Sequence, residues 1–156
     1  MRCSRSTLIL LGFVALLLGG AIYLTSRPPT VFSQALEAIG VPTHNPPRAV
    51  SWSGNLPALI HPFSFAMLTI GILGLEGRRS MLLVCLMWFV IGATFEIGQH
   101  AALAPQLEQL ILQVESNAYW AQVLAHYFRE GTFDLFDLLH VALGSAGAYG
   151  VAVKVC

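Results

Sequence analysis

Three groups of polar and ionisable side chains stand at the edges of apolar runs. His61 lies near the start of LPALIHPFSFAMLTIGILGL. Glu96, Gln99 and His100 close the run that begins at Met81. Arg129, Asp134, Asp137 and His140 open FREGTFDLFDLLHVALGSAGAYGVAV. Such groups can do three kinds of work. As a ligand site, Arg129 would pair with a phosphate or carboxylate, while Asp137, Glu96 and His61 read hydroxyls and amides. As an enzyme acting on a lipid or cell-wall precursor, a carboxylate at 96 or 137 would serve as general base, with His61 or His140 as proton donor. As a purely structural network, the same groups would fix helix packing, where an interhelical hydrogen bond averages about 0.6 kcal/mol. A metal version would use Glu96, His100, Asp137 and His140. Their Glu-x-x-x-His and Asp-x-x-His spacings carry no specific zinc signature, so no metal or cofactor is assigned and no residue receives a catalytic role.

The elements that position these groups are apolar helices. Over half of the 156 residues are hydrophobic and 10% are charged, well below the roughly 25% charged content of soluble domains. Runs over 7–24, 57–75, 81–101 and 135–153 each approach the roughly 20 residues that a bilayer core requires. The expected fold is all-α: a single domain over 1–156, built as an integral membrane bundle of four transmembrane helices. The first run is longer than a signal-peptide core and lacks a small-x-small cleavage site, so it reads as a retained span. A linker over 27–55 carries Pro28-Pro29, a short amphipathic piece over 31–39, His44 in a solvated loop, Pro46-Pro47 and the interfacial Trp52.

Between the third and fourth spans, Leu107, Leu110, Ile111, Val114, Ala118, Ala121 and Leu124 keep helical spacing. Residues 105–128 therefore read as one or two amphipathic helices on the outer membrane face, where a membrane-protein partner could dock. Tyr119, Trp120, His126 and Tyr127 read as interfacial anchors. Phe63, Phe65, Trp88, Phe89 and Phe95 read as packing or lipid-facing aromatics, and Cys85 as a small apolar filler. The three cysteines suggest no disulfide framework.

Because successive spans run antiparallel, the start of the second, the end of the third and the start of the fourth lie on one side. His61, Glu96 and His140 each sit roughly 6–8 Å inside their helix ends. Glu96, Gln99 and His100 share a helix face, and Asp134, Asp137 and His140 form a stripe. Gly144 and Ala148 continue near it as a small-xxx-small pair that permits close helix approach. A carboxylate at the bilayer centre costs about 2.5–3.5 kcal/mol, and less near the interface, so these groups should face one another in a polar pocket, with Arg129 placed to neutralise a carboxylate. The polar groups stop half-way across the bilayer, which argues against a conducting path.

Charge sets the expected orientation. Arg2, Arg5, Arg78, Arg79 and Lys154 fall on one side, against Arg27, Arg48 and Arg129 on the other. The positive-inside rule then places both termini in the cytoplasm and the pocket at the outer leaflet. Net charge is zero, so no global basic field points to nucleic acid.

The order of these residues resembles the VanZ-like family of bacterial membrane proteins: His61 in HPFSF, Glu96 and Gln99 in FEIGQ, Arg129, then Asp137 and Gly144 in FDLFDLLHVALG. The resemblance covers about 56–150. Pro57 and Ala58 stand where the family carries an Asp-Lys pair, Val141 replaces a frequent Asn, and 99–129 is longer than the family's turn. The resemblance implies four spans in a bacterial cytoplasmic membrane and an envelope role, with some members associated with reduced sensitivity to glycopeptide antibiotics. It supplies no reaction. The expected role is binding or organising a cell-wall or lipid-linked component.

Overall fold

The computed structural model describes residues 4–26, 40, 55–114 and 118–156. The amphipathic piece over 31–39, His44 and Trp52 lie outside the described residues. Six helices occur among the described residues: α1 (Arg5–Ser26), α2 (Leu56–Leu73), α3 (Arg78–Gly98), α4 (Ala104–Val114), α5 (Tyr119–Glu130) and α6 (Leu135–Val155). Four of them, α1, α2, α3 and α6, are long and apolar enough to cross a membrane. The four expected spans are thus present, with ends displaced by up to three residues.

Local chemistry sets several of those ends. Pro57 opens α2, where its missing N–H costs nothing. Gly74 closes the helix in the left-handed conformation, φ 62° and ψ 41°, which a glycine adopts without a Cβ clash. Asp134 caps α6: its Oδ1 accepts from the Phe136 N–H at 2.8 Å, satisfying one of the unpaired donors of a helix start. Asp137 lies in the first turn of α6 and Lys154 in the last, each matching the helix dipole.

Helix α2 is the centre of the bundle, packed against α1, α3 and α6, and α3 also packs on α6. Close approach depends on small residues. A Cβ at Gly12 would press on the backbone of Leu68 and Ser64, and one at Gly71 on the backbone of Ile9 and Arg5. Gly92 of α3 lies against Val141 of α6, and Gly144 of α6 against the Leu59 carbonyl of α2. These contacts make α1 and α2 antiparallel.

The apolar core sits at one end. It comprises Leu8, Met67, Ile70, Met81, Cys85, Ala148 and Ala152, with Ala66, drawn from the start of α1, the later turns of α2 and α6, and the start of α3. At the opposite end the buried carboxylates Glu96 and Asp137 appear. Trp88 and Thr69 join α3 to α2, the indole N–H donating to Oγ1 at 3.0 Å. Cys85 is free and buried. Cys156 is disulfide-bonded, a correction to the reading of the cysteine spacing.

The described residues of 105–128 form two helices, α4 and α5, the second of the two arrangements expected. They pack on each other and dock on the end of α3 through Phe128, which stacks on Phe95 with ring centroids 5.8 Å apart. Gly98 leaves the room: a Cβ there would meet Phe128 and Leu107. The inward residues are Ala104, Ala121, Ala125 and Phe128, with Leu107 half-buried. Leu110 and Val114 of the same apolar stripe are exposed at 57% and 72%, because the face that meets Gly98 is turned from them. Leu107→Ala should weaken this docking by about 1 kcal/mol, the value of half-burying a leucine. Hydrogen exchange over Ala104–Val114 should then accelerate roughly fivefold, with α2 and α6 unaffected.

Candidate functional site

The end of α3 and the start of α6 meet at one level, and a side chain joins them. The Asp134 backbone N–H donates to Glu96 Oε1 at 3.1 Å. Asp134 Oδ2 in turn accepts from Asn55 Nδ2 at 3.2 Å, so the entry to α2 joins the same network. Glu96 is 8% exposed and Asp137 9%. Two carboxylates are therefore buried near one boundary of the bundle, one of them holding the backbone that starts α6. The sequence-based expectation that Glu96 faces the fourth span is met. Its direct partner there is a main-chain donor.

The other expected members are arranged differently. Arg129 pairs with carboxylates of the helix pair α4 and α5. Its Nη1 donates to Glu108 Oε1 at 3.3 Å, and its Nε lies 3.4 Å from Glu130 Oε1. The helix pair supplies both partners, so Arg129 belongs to the outer rim. Its side chain is 62% exposed and that of Glu108 26%. Asp134 serves as helix cap and junction. His140 turns onto its own helix, with Nδ1 at 2.6 Å from the Phe136 carbonyl oxygen. His61 stands beside α1, its ring near Gly19 and 6.1 Å from the Phe65 ring. Phe65 continues the stack onto Trp88 of α3 at 4.8 Å. The Leu59 carbonyl and the Pro62 ring meet Gly144 of α6.

Beside the Glu96–Asp134 junction a cleft of about 480 Å³ opens between the end of α3, α4 and the loop before α6. Gln99, His100, Glu108, Arg129, Thr132 and Phe133 are among its lining. The Gln99 side chain lies across Gly131, a position that only a residue without a Cβ leaves open. His100 accepts from the Ala102 N–H at Nδ1, 3.3 Å, and meets the Phe133 ring edge-on at 5.4 Å. The cleft offers a guanidinium, a carboxylate, an imidazole, an amide and a hydroxyl at a helix-bundle boundary, with the Phe133 ring among them. That donor and acceptor set suits a polar headgroup better than a bare ion. Among the described residues, no three His, Cys, Asp or Glu side chains converge as metal ligands.

Glu108 was not singled out from sequence as a site residue; neither were Thr132 and Phe133. Their signal is weak in one dimension, since Glu108 and Arg129 are 21 residues apart and meet only through the fold of the helix pair. Comparison of the chain with protein-family models, with curated proteins and with solved structures finds no match.

Proposed function

We propose that the chain is an envelope-associated, multi-pass protein of a bacterial cytoplasmic membrane. It binds or organises a cell-wall or lipid-linked component through the cleft bounded by Gln99, His100, Glu108 and Arg129. One observation carries this reading: the buried Glu96 and Asp137 and the lined cleft lie at the same boundary, while the other half of the bundle is an apolar core. Intramembrane ionisable groups are functional candidates by default. The resemblance of His61, Glu96, Gln99, Arg129 and Asp137 in their order to the VanZ-like family supports an envelope role, with altered glycopeptide sensitivity as its phenotype. A purely structural reading has its own observation: Glu96 and Asp134 are engaged in joining α3, α6 and Asn55. The cleft residues, outside that junction, carry the distinction.

The orientation proposed puts both termini in the cytoplasm and the cleft at the outer leaflet. The Arg78-Arg79 pair at the start of α3 favours it. The disulfide at Cys156 pulls the other way, since disulfides are rare in the cytosol of mesophiles. Single-cysteine labelling of intact cells decides between them. A cysteine at Gln113 should react with an impermeant maleimide and one at Arg79 should not; the reverse pattern would invert the topology. Deletion of the gene should change sensitivity to glycopeptides and other wall-directed antibiotics, and leave sensitivity to a ribosome inhibitor unaltered. An unchanged response to every wall-directed compound would refute the envelope role.

A further inference from the structure

A second cavity opens between α3 and the first turns of α6. It has a volume of about 440 Å³ and is bounded by Phe89 of α3 and by Leu135, Phe136, Leu138, Leu139 and Ala142 of α6. Its lining is entirely apolar in residue type. Leu135, Leu138, Leu139 and Ala142 recur at helical spacing, so they form one stripe over the first two turns of α6. On α3, Phe89 and Glu96 are seven residues apart and share a face, with Gln99 three residues further on. Gln99, ten residues beyond Phe89, lies about 15 Å further along the α3 axis and about 80° round it. On the α6 side Phe133 lines the cleft and Leu135, two residues on, lines the groove. A polar cleft at a membrane boundary above an apolar groove within the span matches an amphiphile, with headgroup above and acyl chain below.

The charge pattern of the cleft selects the headgroup. Arg129 is the cation, and Glu108 at 3.3 Å and Glu130 at 3.4 Å flank it. A purely anionic headgroup would gain the guanidinium and meet two carboxylates. A zwitterion meets both signs: its phosphate can share Arg129, and its cation can take the freed side of Glu108. A primary ammonium has three donors, which Glu108, the Gln99 amide oxygen and the Thr132 hydroxyl can accept. A quaternary ammonium donates none and prefers an aromatic cage, whereas the carbocyclic aromatic ring lining this cleft is that of Phe133.

We infer that the α3–α6 seam binds one phosphatidylethanolamine-type lipid. Its phosphate lies at Arg129, its ammonium at Glu108, and an acyl chain fills the groove between Phe89 and Leu139. This inference rests on the cleft being the binding site, and it names the ligand class.

The test is native mass spectrometry of the purified full-length protein released from detergent micelles. It is titrated separately with phosphatidylethanolamine, phosphatidylglycerol and phosphatidylcholine carrying identical acyl chains. One phosphatidylethanolamine should be retained about fivefold more tightly than either other lipid, the upper end for one solvent-exposed ion pair. Glu108→Gln should abolish the preference over phosphatidylglycerol. Leu139→Trp, at a half-exposed position, should reduce retention of the lipid while circular dichroism shows unchanged helicity. Equal retention of the three lipids, or a phosphatidylethanolamine preference untouched by both substitutions, would overturn the inference. If no preference is found but Arg129→Met still abolishes function at normal membrane levels, the lipid assignment fails and the cleft reading survives. If the preference is found and Arg129→Met functions normally, the lipid assignment holds and the cleft's functional role fails.

Discussion

Gly144→Leu should remove the folded bundle from the membrane. A Cβ at this position runs into the Leu59 carbonyl oxygen, with the Leu59 carbonyl carbon 3.0 Å away and Pro62 Cγ at 3.2 Å. The obstructing atoms are backbone and a proline ring, which cannot swing aside as a flexible side-chain end can. Overpacking of a close interface costs about 1–3 kcal/mol and occasionally more. With backbone as the obstacle, the cost should be at least about 3 kcal/mol. Lipid tails are as apolar as the side chains, so helix association here rests on packing and hydrogen bonds; separating α2 from α6 removes much of that packing. Gly150→Leu on the same helix is the control, because a Cβ there meets nothing within 4 Å. Thermal unfolding in detergent and membrane abundance should both fall for position 144 and hold for position 150. Equal behaviour of the two variants would contradict the described α2–α6 contact.

Glu96→Ala should be the next most damaging change. It removes the acceptor that holds the Asp134 N–H at 3.1 Å at a place that excludes water. A donor left without a partner in such a site costs about 1–3 kcal/mol, and truncating the buried side chain adds a cavity. Glu96→Gln preserves an accepting oxygen and the volume, so it should cost less than about 1 kcal/mol. The contrast separates the hydrogen bond from the charge. If alanine and glutamine destabilise equally, the negative charge itself is what the bundle needs, and the account of Glu96 as a backbone clamp fails. Loss of the Asp134 cap by Asp134→Ala, worth about 1 kcal/mol, acts on the same junction, so the double variant should show non-additive losses.

Much of the architecture was legible because it follows from length and spacing. Runs of about 20 apolar residues allow few other readings, and the antiparallel order alone placed Glu96 and Asp137 at one level. The pairing of Gly144 with Ala148 signalled a close helix contact, which appears at Leu59. The equivalent role of Gly12 and Gly71 between α1 and α2 was not visible, since glycines are common in apolar runs and nothing marks the partner helix. The rotation of each helix was harder still. The His61 ring lies near Gly19 of α1 and beside the Phe65–Trp88 stack that leads to α3, a placement that spacing along one helix does not give. Arg129 was expected to neutralise a carboxylate at the start of the fourth span, and the fold of α4 on α5 sets Glu108 beside it at 3.3 Å. His140 found an acceptor in its own helix, at the Phe136 carbonyl, a local choice that competes with any distant partner. Leu110 and Val114 fitted the helical period, yet period gives the face and not the partner that covers it.

The most direct test of the central claim is complementation of a deletion strain by Arg129→Met and His100→Ala, with each protein quantified in the membrane. Both side chains line the cleft and are exposed, so both variants should reach wild-type levels. The account predicts that they then fail to restore wall-directed antibiotic resistance to the wild-type level. Full restoration at equal abundance would contradict it, and would leave Glu96, Asp134 and Asp137 as elements of helix packing alone.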